Sequence, residues 1–514
     1  MDFELLFRDG IVVDGTGADR TRANVAITDG EIVDVGPDLD GADADRTVSV
    51  DGSIIAPGFV DVLSYADLQL FVDPTRVGKV RQGITTELVG TSGYSVAPRW
   101  YTESETYRWR PGKEDWKAFL STDLGRADDA WDWGSVQDYL QAVDEAAPAT
   151  NVATFVGHGS LKYNVTGLRE VPPTAEEVEE LCTLLELGLR DGAVGLSTSI
   201  PLLERSATEE ITALLDRLTG LDRPLVVRAS GADHDTLSGI LDIVEPAGVV
   251  HLTDLAGRAG TRTSTPVAAV EAAADCGLTV TGDVTPYDRE VILLASLLPP
   301  ESFAEGDQKL RELLAADGRT DDLRRALSEA ADWSEVVLVG DRDGAGATVE
   351  DLAARQETTV TDLVCELLMV DLETRIEVPV MDPDVRDRAL SDRRITVATD
   401  GSLAASRTRR EHGTFAAFLE HSRENVGLEE AIRKLTSLPA DAFGLEKKGR
   451  IEPGADADLV VFDPADIADR TTREDPTNRP TGVRHVLVGG RFVVRAGEAV
   501  EESTGRTIRF PTPT

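Results

Sequence analysis

The stretch IIAPGFVDVLSYAD, residues 54–67, decides the reading of this chain. Residues 54–62 form a nearly continuous apolar run, the pattern of a strand buried on both faces in a parallel sheet covered by helices. Asp61 is the one charge inside it. Working outward, further strand-like runs fall at 85–90, 151–158, 193–198, 224–230, 249–255, 279–285 and 395–400. Amphipathic helical patterns separate them, such as TAEEVEELCTLLELGLRDG (174–192) and TPVAAVEAAADCG (265–277). Strands alternating with helices predict an α/β chain folded as a (β/α)8 TIM-like barrel over residues 54–445. The interval at about 290–390 holds more helix plus VVLVG (336–340) and reads as an insertion after strand seven.

The two ends have a different texture. LLFRDGIVVDGTG (5–17) and NVAITDGEIVDVG (24–36) are short alternating strands joined by Gly/Asp turns, and ADLVVFDP (457–464) and GVRHVLVGGRFVVRAGE (482–498) repeat the pattern. They predict one small composite β-sandwich domain built from residues 1–53 and 446–510.

Composition narrows the function classes. The chain has 514 residues, 41% of them hydrophobic, enough for a large core. No run approaches the ~20 apolar residues of a membrane span. The start, MDFELLFRDG, lacks the basic and apolar regions of a secretory signal, so a cytoplasmic location is expected. Three cysteines (Cys182, Cys276, Cys365), none in a C-x-x-C pair, read as buried free thiols. The formal net charge of −41 would repel nucleic acid. Because the acidic residues interleave with periodic apolar ones, the charge reads as the surface of a halophilic protein.

Residues 54–67 resemble the first barrel strand of the amidohydrolases, PGF-hydrophobic-D-x-H-x-H. GITTELVGTSGYSVAP (83–98), NVATFVGHG (151–159), GAVGLSTSI (192–200), VHLTDLAG (250–257) and DVTPYD (283–288) extend the likeness in order. So do TDGS (399–402), RREHGTF (409–415), KLTSLPADAFGL (434–445), KGRIEPGADADLVVFDP (448–464) and GVRHVLVGG (482–490). The VGHG, GLST and PYD elements together resemble the D-aminoacylase, or N-acyl-D-amino-acid deacylase, branch. That resemblance implies a hydrolase acting on non-peptide C–N amide bonds. Its zinc would polarise the carbonyl and lower the pKa of water from ~15.7 to ~7.

Mapped onto this chain, the resemblance leaves that metal without its ligands. The two histidines of H-x-H are Leu63 and Tyr65, the cysteine after strand two is Ser92, and the strand-five histidine is Arg228. On strand six the histidine is Asp254 and the lysine two residues on is Ala256. Asp400, the general-base position after strand eight, is retained. The H-P-R element reads Thr408-Arg409-Arg410 and keeps its arginine.

The expectation is therefore a former metal site in which Arg228 replaces the cation and pairs with Asp254 and Asp400. An oxygen-only site for a hard divalent cation, from Asp61, Asp254 and Asp400, is the weaker alternative because Arg228 lies beside it. For substrate contact the candidates are Arg410 as a carboxylate clamp, with Tyr65, Ser92, His158 and Ser197 as hydrogen-bonding groups. His158 reads equally well as a residue that orients loops, and His251 as a packing residue. The implied ligand is a small acylated amino acid or related anion. Three functions remain open: a degenerate enzyme that binds such a ligand, a structural partner in a homo-oligomer or beside an active relative, and a hydrolase rebuilt around Asp400.

Overall fold

The computed structural model describes residues 3–37, 39, 42–99, 133–167, 171–232, 234–256, 266–275, 277–298, 307–315, 320–340, 344–401, 408–500 and 504–510. Cys276, Gly257, Ser402 and the side chain of His234 lie outside the described residues. Cys182 and Cys365 are buried thiols, in no disulfide among the described residues.

Both chain ends join in one sheet of nine strands. Phe3–Val12 pairs with Thr21–Thr28, Ala44–Ser49 and Ile54–Pro57, and the last of these pairs antiparallel with Leu459–Phe462. Val483–Val488 and Arg491–Arg495 continue the sheet. Leu5, Phe7, Val25, Ile27, Ile55, Val461 and Leu487 close its core, one alternating face from each strand.

The run expected as a single strand over 54–62 is split at Gly58. Residues up to Pro57 belong to the end-to-end sheet, and Phe59–Asp61 is the first barrel strand. Only glycine fits at this junction, since a Cβ on Gly58 would lie 2.1 Å from Thr85 Oγ1. The remaining barrel strands are Ile84–Val89, Asn151–Thr154 with Val156–Gly157, Leu196–Ser199, Leu225–Arg228, Val249–Thr253, Thr279–Val284 and Ile395–Val397. All pair in parallel, in two arcs. Strand three links the arcs: the Phe155 N–H donates to Val89 O, and the Val156 N–H to Gly195 O. At the opposite seam the Asp400 N–H donates to Leu63 O at 2.9 Å.

The helices form where the sequence supplies both a stripe and a cap. Ala175–Arg190 starts at Thr174, whose hydroxyl accepts the Glu177 N–H while the Glu177 carboxylate accepts the Thr174 N–H. It buries Leu181, Cys182, Leu184, Leu185 and Leu189 against the barrel. The insertion runs from Arg289–Leu293 to Arg375–Pro379, two antiparallel strands that close its base, with Val337–Val339 alongside. It has its own apolar core around Leu327, Val336, Cys365 and Ile376.

Residues 504–510 do not end in the sandwich, as expected for a domain reaching 510. They return to the barrel, where the Ile508 N–H donates to Val152 O and the Phe510 N–H to Gly192 O. Among the described residues no helix is long and apolar enough to cross a membrane.

Candidate functional site

The ends of barrel strands one, two, five, six and eight bring the expected positions together. Tyr65, Asp254 and Asp400 hold left-handed backbone conformations, with φ of 51°, 54° and 46°. Aspartate tolerates this region and a bulky aromatic does so rarely, so surrounding bonds must hold the turns. The Asp400 N–H is fixed by Leu63 O, and the Asp254 N–H donates to Asp283 Oδ1 at 3.1 Å. Asp283 is in turn held by His251, whose Nε2 lies 2.9 Å from Asp283 Oδ2 and whose Nδ1 lies 2.8 Å from Thr281 Oγ1. His251 is thus a buried bracing residue behind Asp254.

Arg228 pairs with Asp254 and not with Asp400. Its Nε and Nη2 both donate to Asp254 Oδ2, at 3.0 and 2.9 Å, and its side chain is 36% exposed. The guanidinium lies 6.0 Å from the centre of the Tyr65 ring. Tyr65 is buried and hydrogen-bonded to Ser92; burial lifts its phenol well above the ordinary value, against the pull of Arg228. Asp400 is instead taken by Arg410 through Nη1, and Arg410 Nη2 is taken by Glu290, from the first strand of the insertion. Burial raises the Glu290 carboxyl, and it pushes that of Asp400 up to about 7 despite the opposing guanidinium of Arg410.

These placements correct several expectations. Arg410 is not an open carboxylate clamp, because both of its terminal nitrogens are already engaged by carboxylates. Ser197 is fully buried and serves the backbone of the neighbouring loop, donating to Gly90 O and accepting the Gly93 N–H. His158 is buried between Thr198 Oγ1 at 2.9 Å and Glu210 Oε1 at 2.7 Å, with Lys162 closing on the same carboxylate. It holds the strand ends together, and the small space it borders is lined, among the described residues, by apolar side chains such as Leu196, Leu214 and Leu225. The oxygen-only cation site is not assembled: Asp61 accepts from the Thr399 N–H and hydroxyl and from Lys79 Nζ, at 3.0, 2.6 and 2.8 Å.

Beneath the site lies an ion cluster that sequence reading missed. Lys79 and Arg76 are buried with Asp61, Glu87 and Glu411. Arg76 grips Glu87 with two parallel bonds, Nε to Oε1 at 2.9 Å and Nη2 to Oε2 at 2.7 Å. Burial alone would raise the Glu87 carboxyl, but Arg76 and Lys79 hold it at about 2. Lys79 lies 3.2 Å from Glu411 Oε2. The signal was present in ITTELV, where a glutamate inside a fully buried strand requires a buried cation.

A zinc ion does not fit the residues present. Leu63 has no donor atom and is packed in the core. Ser92 offers a neutral hydroxyl where thiolate binds well, and a fixed guanidinium occupies the strand-five position, bonded to the carboxylate that would serve the ion. Two like charges at such short range repel strongly in a partly desolvated site.

Residues 401–494 match the model of the Amidohydrolase family. The chain is 28% identical to the D-aminoacylase of Alcaligenes xylosoxydans xylosoxydans, over 98% of this chain and 97% of that one. It is 29% identical to the N-acyl-D-glutamate deacylase of the same organism, over 95% and 93%. A crystal structure of the N-acyl-D-glutamate deacylase of Bordetella bronchiseptica, complexed with zinc and a phosphonate inhibitor, superposes with a TM-score of 0.78 at 26% identity. It covers 99% of this chain and 100% of that one.

Proposed function

By descent this chain belongs to the D-aminoacylase branch of the amidohydrolases, and from that premise we propose that it has lost zinc-dependent amide hydrolysis while keeping the barrel mouth as a small-molecule binding site. The observation that carries this reading is the Arg228–Asp254 ion pair, which supplies from within the protein the positive charge that a metal would bring. The relatives' names point to acylated amino acids as the starting class of ligand. The test is metal analysis of protein purified in concentrated salt without chelators, together with turnover on a panel of N-acyl-D-amino acids. We expect below ~0.1 zinc per chain and no hydrolysis; about one zinc per chain with turnover sinks the reading.

One observation favours a second reading. A carboxyl group poised at about 7 beside a guanidinium is suited to general-base work, with Arg228 stabilising a developing oxyanion. Metal-free turnover that is abolished by Asp400→Asn and follows the ionisation of one group near neutral pH would select it.

A further inference from the structure

We propose that the Arg228 site binds a free α-amino acid as a zwitterion, its carboxylate on Arg228 and its ammonium between Asp254 and Asp400. The inference rests on the reading that the site is metal-free, and it changes the class of ligand from the acylated to the free amino acid.

The two arginines of the site differ in what they can still do. Arg410 is only 12% exposed, and its terminal nitrogens are each held by a carboxylate, Asp400 and Glu290. Arg228 spends both Nε and Nη2 on a single oxygen of Asp254. Its Nη1 donates to no described residue, and the side chain is 36% exposed. A ligand carboxylate can reach that edge. Asp254 and Asp400 are each bonded through Oδ2. Among the described residues no side chain bonds Oδ1 of either, so both retain an acceptor for an N–H donor.

Charge then decides between ligands. Three carboxylates (Asp254, Asp400, Glu290) stand against two guanidinium groups (Arg228, Arg410), one negative charge in excess. With all five groups ionised the cluster is anionic. It therefore lacks the positive excess that would attract a monoanion such as an N-acyl amino acid. A zwitterion brings its own cation. Its ammonium has three donors for the free acceptor oxygens, and its carboxylate meets the one guanidinium edge still available. Acylation removes that charge and two of the three donors, leaving an aspartate acceptor unpaired in a largely buried site. Tyr65, whose ring centre lies 6.0 Å from the Arg228 guanidinium, limits the side chain the site accepts.

Calorimetric titration of the full chain with D-alanine, L-alanine and their N-acetyl derivatives tests the proposal. One hand of alanine should bind at least about tenfold more tightly than its N-acetyl form. The double variant Arg228→Met/Asp254→Asn removes the pair together and leaves no buried charge unpaired. It should lose at least about tenfold in alanine affinity while its melting temperature stays close to that of the parent. Equal or tighter binding of N-acetylalanine, binding of neither compound, or alanine binding unchanged in the double variant would each overturn it. Zinc content and turnover of the same preparation keep the two readings apart. Zinc-loaded, active protein defeats the metal-free site, whereas metal-free protein that ignores alanine defeats only the amino-acid assignment.

Discussion

Asp67 and Lys79 are both fully buried, and they differ in company. Among the described residues no well-formed hydrogen bond reaches either carboxylate oxygen of Asp67, and burial pushes its carboxyl up to about 7, only partly opposed by nearby backbone N–H groups. The folded state therefore holds this proton more tightly than the unfolded chain does. Stability from this group is fully present below its unfolded value near ~4 and declines as the pH rises to about 7, by at most ~4 kcal/mol. Asp67→Asn should accordingly raise the melting temperature at about pH 8 and change it little at about pH 4. Thermal melts at both values check this; a uniform shift would show that the carboxylate charge is not the cause. Lys79 has the opposite environment, with Asp61 at 2.8 Å and Glu411 at 3.2 Å. Lys79→Met leaves buried Asp61 without its cation and Glu411 with only Arg76 at 3.5 Å, and should cost ~3–5 kcal/mol in denaturant unfolding. Glu290→Gln, in contrast, should leave the fold intact and remove the negative charge that competes for one terminal nitrogen of Arg410. Affinity for simple carboxylates such as acetate should then rise several-fold, by about 1 kcal/mol, in the same calorimetric titration.

At the scale of elements, Gly58 is where the chain leaves one sheet for another. A methyl group there meets Thr85 Oγ1 at 2.1 Å and Thr85 Cγ2 at 2.5 Å, so Gly58→Ala should destabilise by ~1–3 kcal/mol or more, read by urea unfolding. The same junction shows how far the sequence could be read. Apolar run length and punctuation located the strands of the barrel, and alternation at the two ends located the composite sheet, because both patterns are local. The split at Gly58 was hidden because the residues on either side are apolar for different neighbours. At the site, alignment to a family pattern brought Leu63, Tyr65, Ser92, Arg228, Asp254 and Asp400 to one place, since strand order fixes which ends converge. Their pairing was not legible. Glu290 lies more than a hundred residues before Arg410, on an insertion that follows no barrel period, and its charge redirected both Arg410 and Asp400.

At the scale of the whole molecule, the net charge of −41 sets the conditions under which these local energies operate. Self-repulsion of that size weakens as salt shortens the screening length. The melting temperature should therefore climb steadily between ~0.2 M and ~2 M KCl, and a flat profile would refute the reading of a salt-adapted surface. The buried pairs Arg76–Glu87 and Lys79–Asp61 should be far less sensitive to salt, because ions do not reach them.

The sheet that unites both chain ends also governs how the protein is made. Ile54–Pro57 takes its antiparallel partner from Leu459–Phe462, so a strand that emerges early from the ribosome waits for about four hundred further residues before its edge is covered. During synthesis that edge and the apolar face of the early strands stand open to other nascent chains. The density of acidic side chains along this sequence opposes such contacts by repulsion. Truncated forms ending before Leu459 should therefore aggregate as the salt concentration is raised, the reverse of the response expected of the full-length chain.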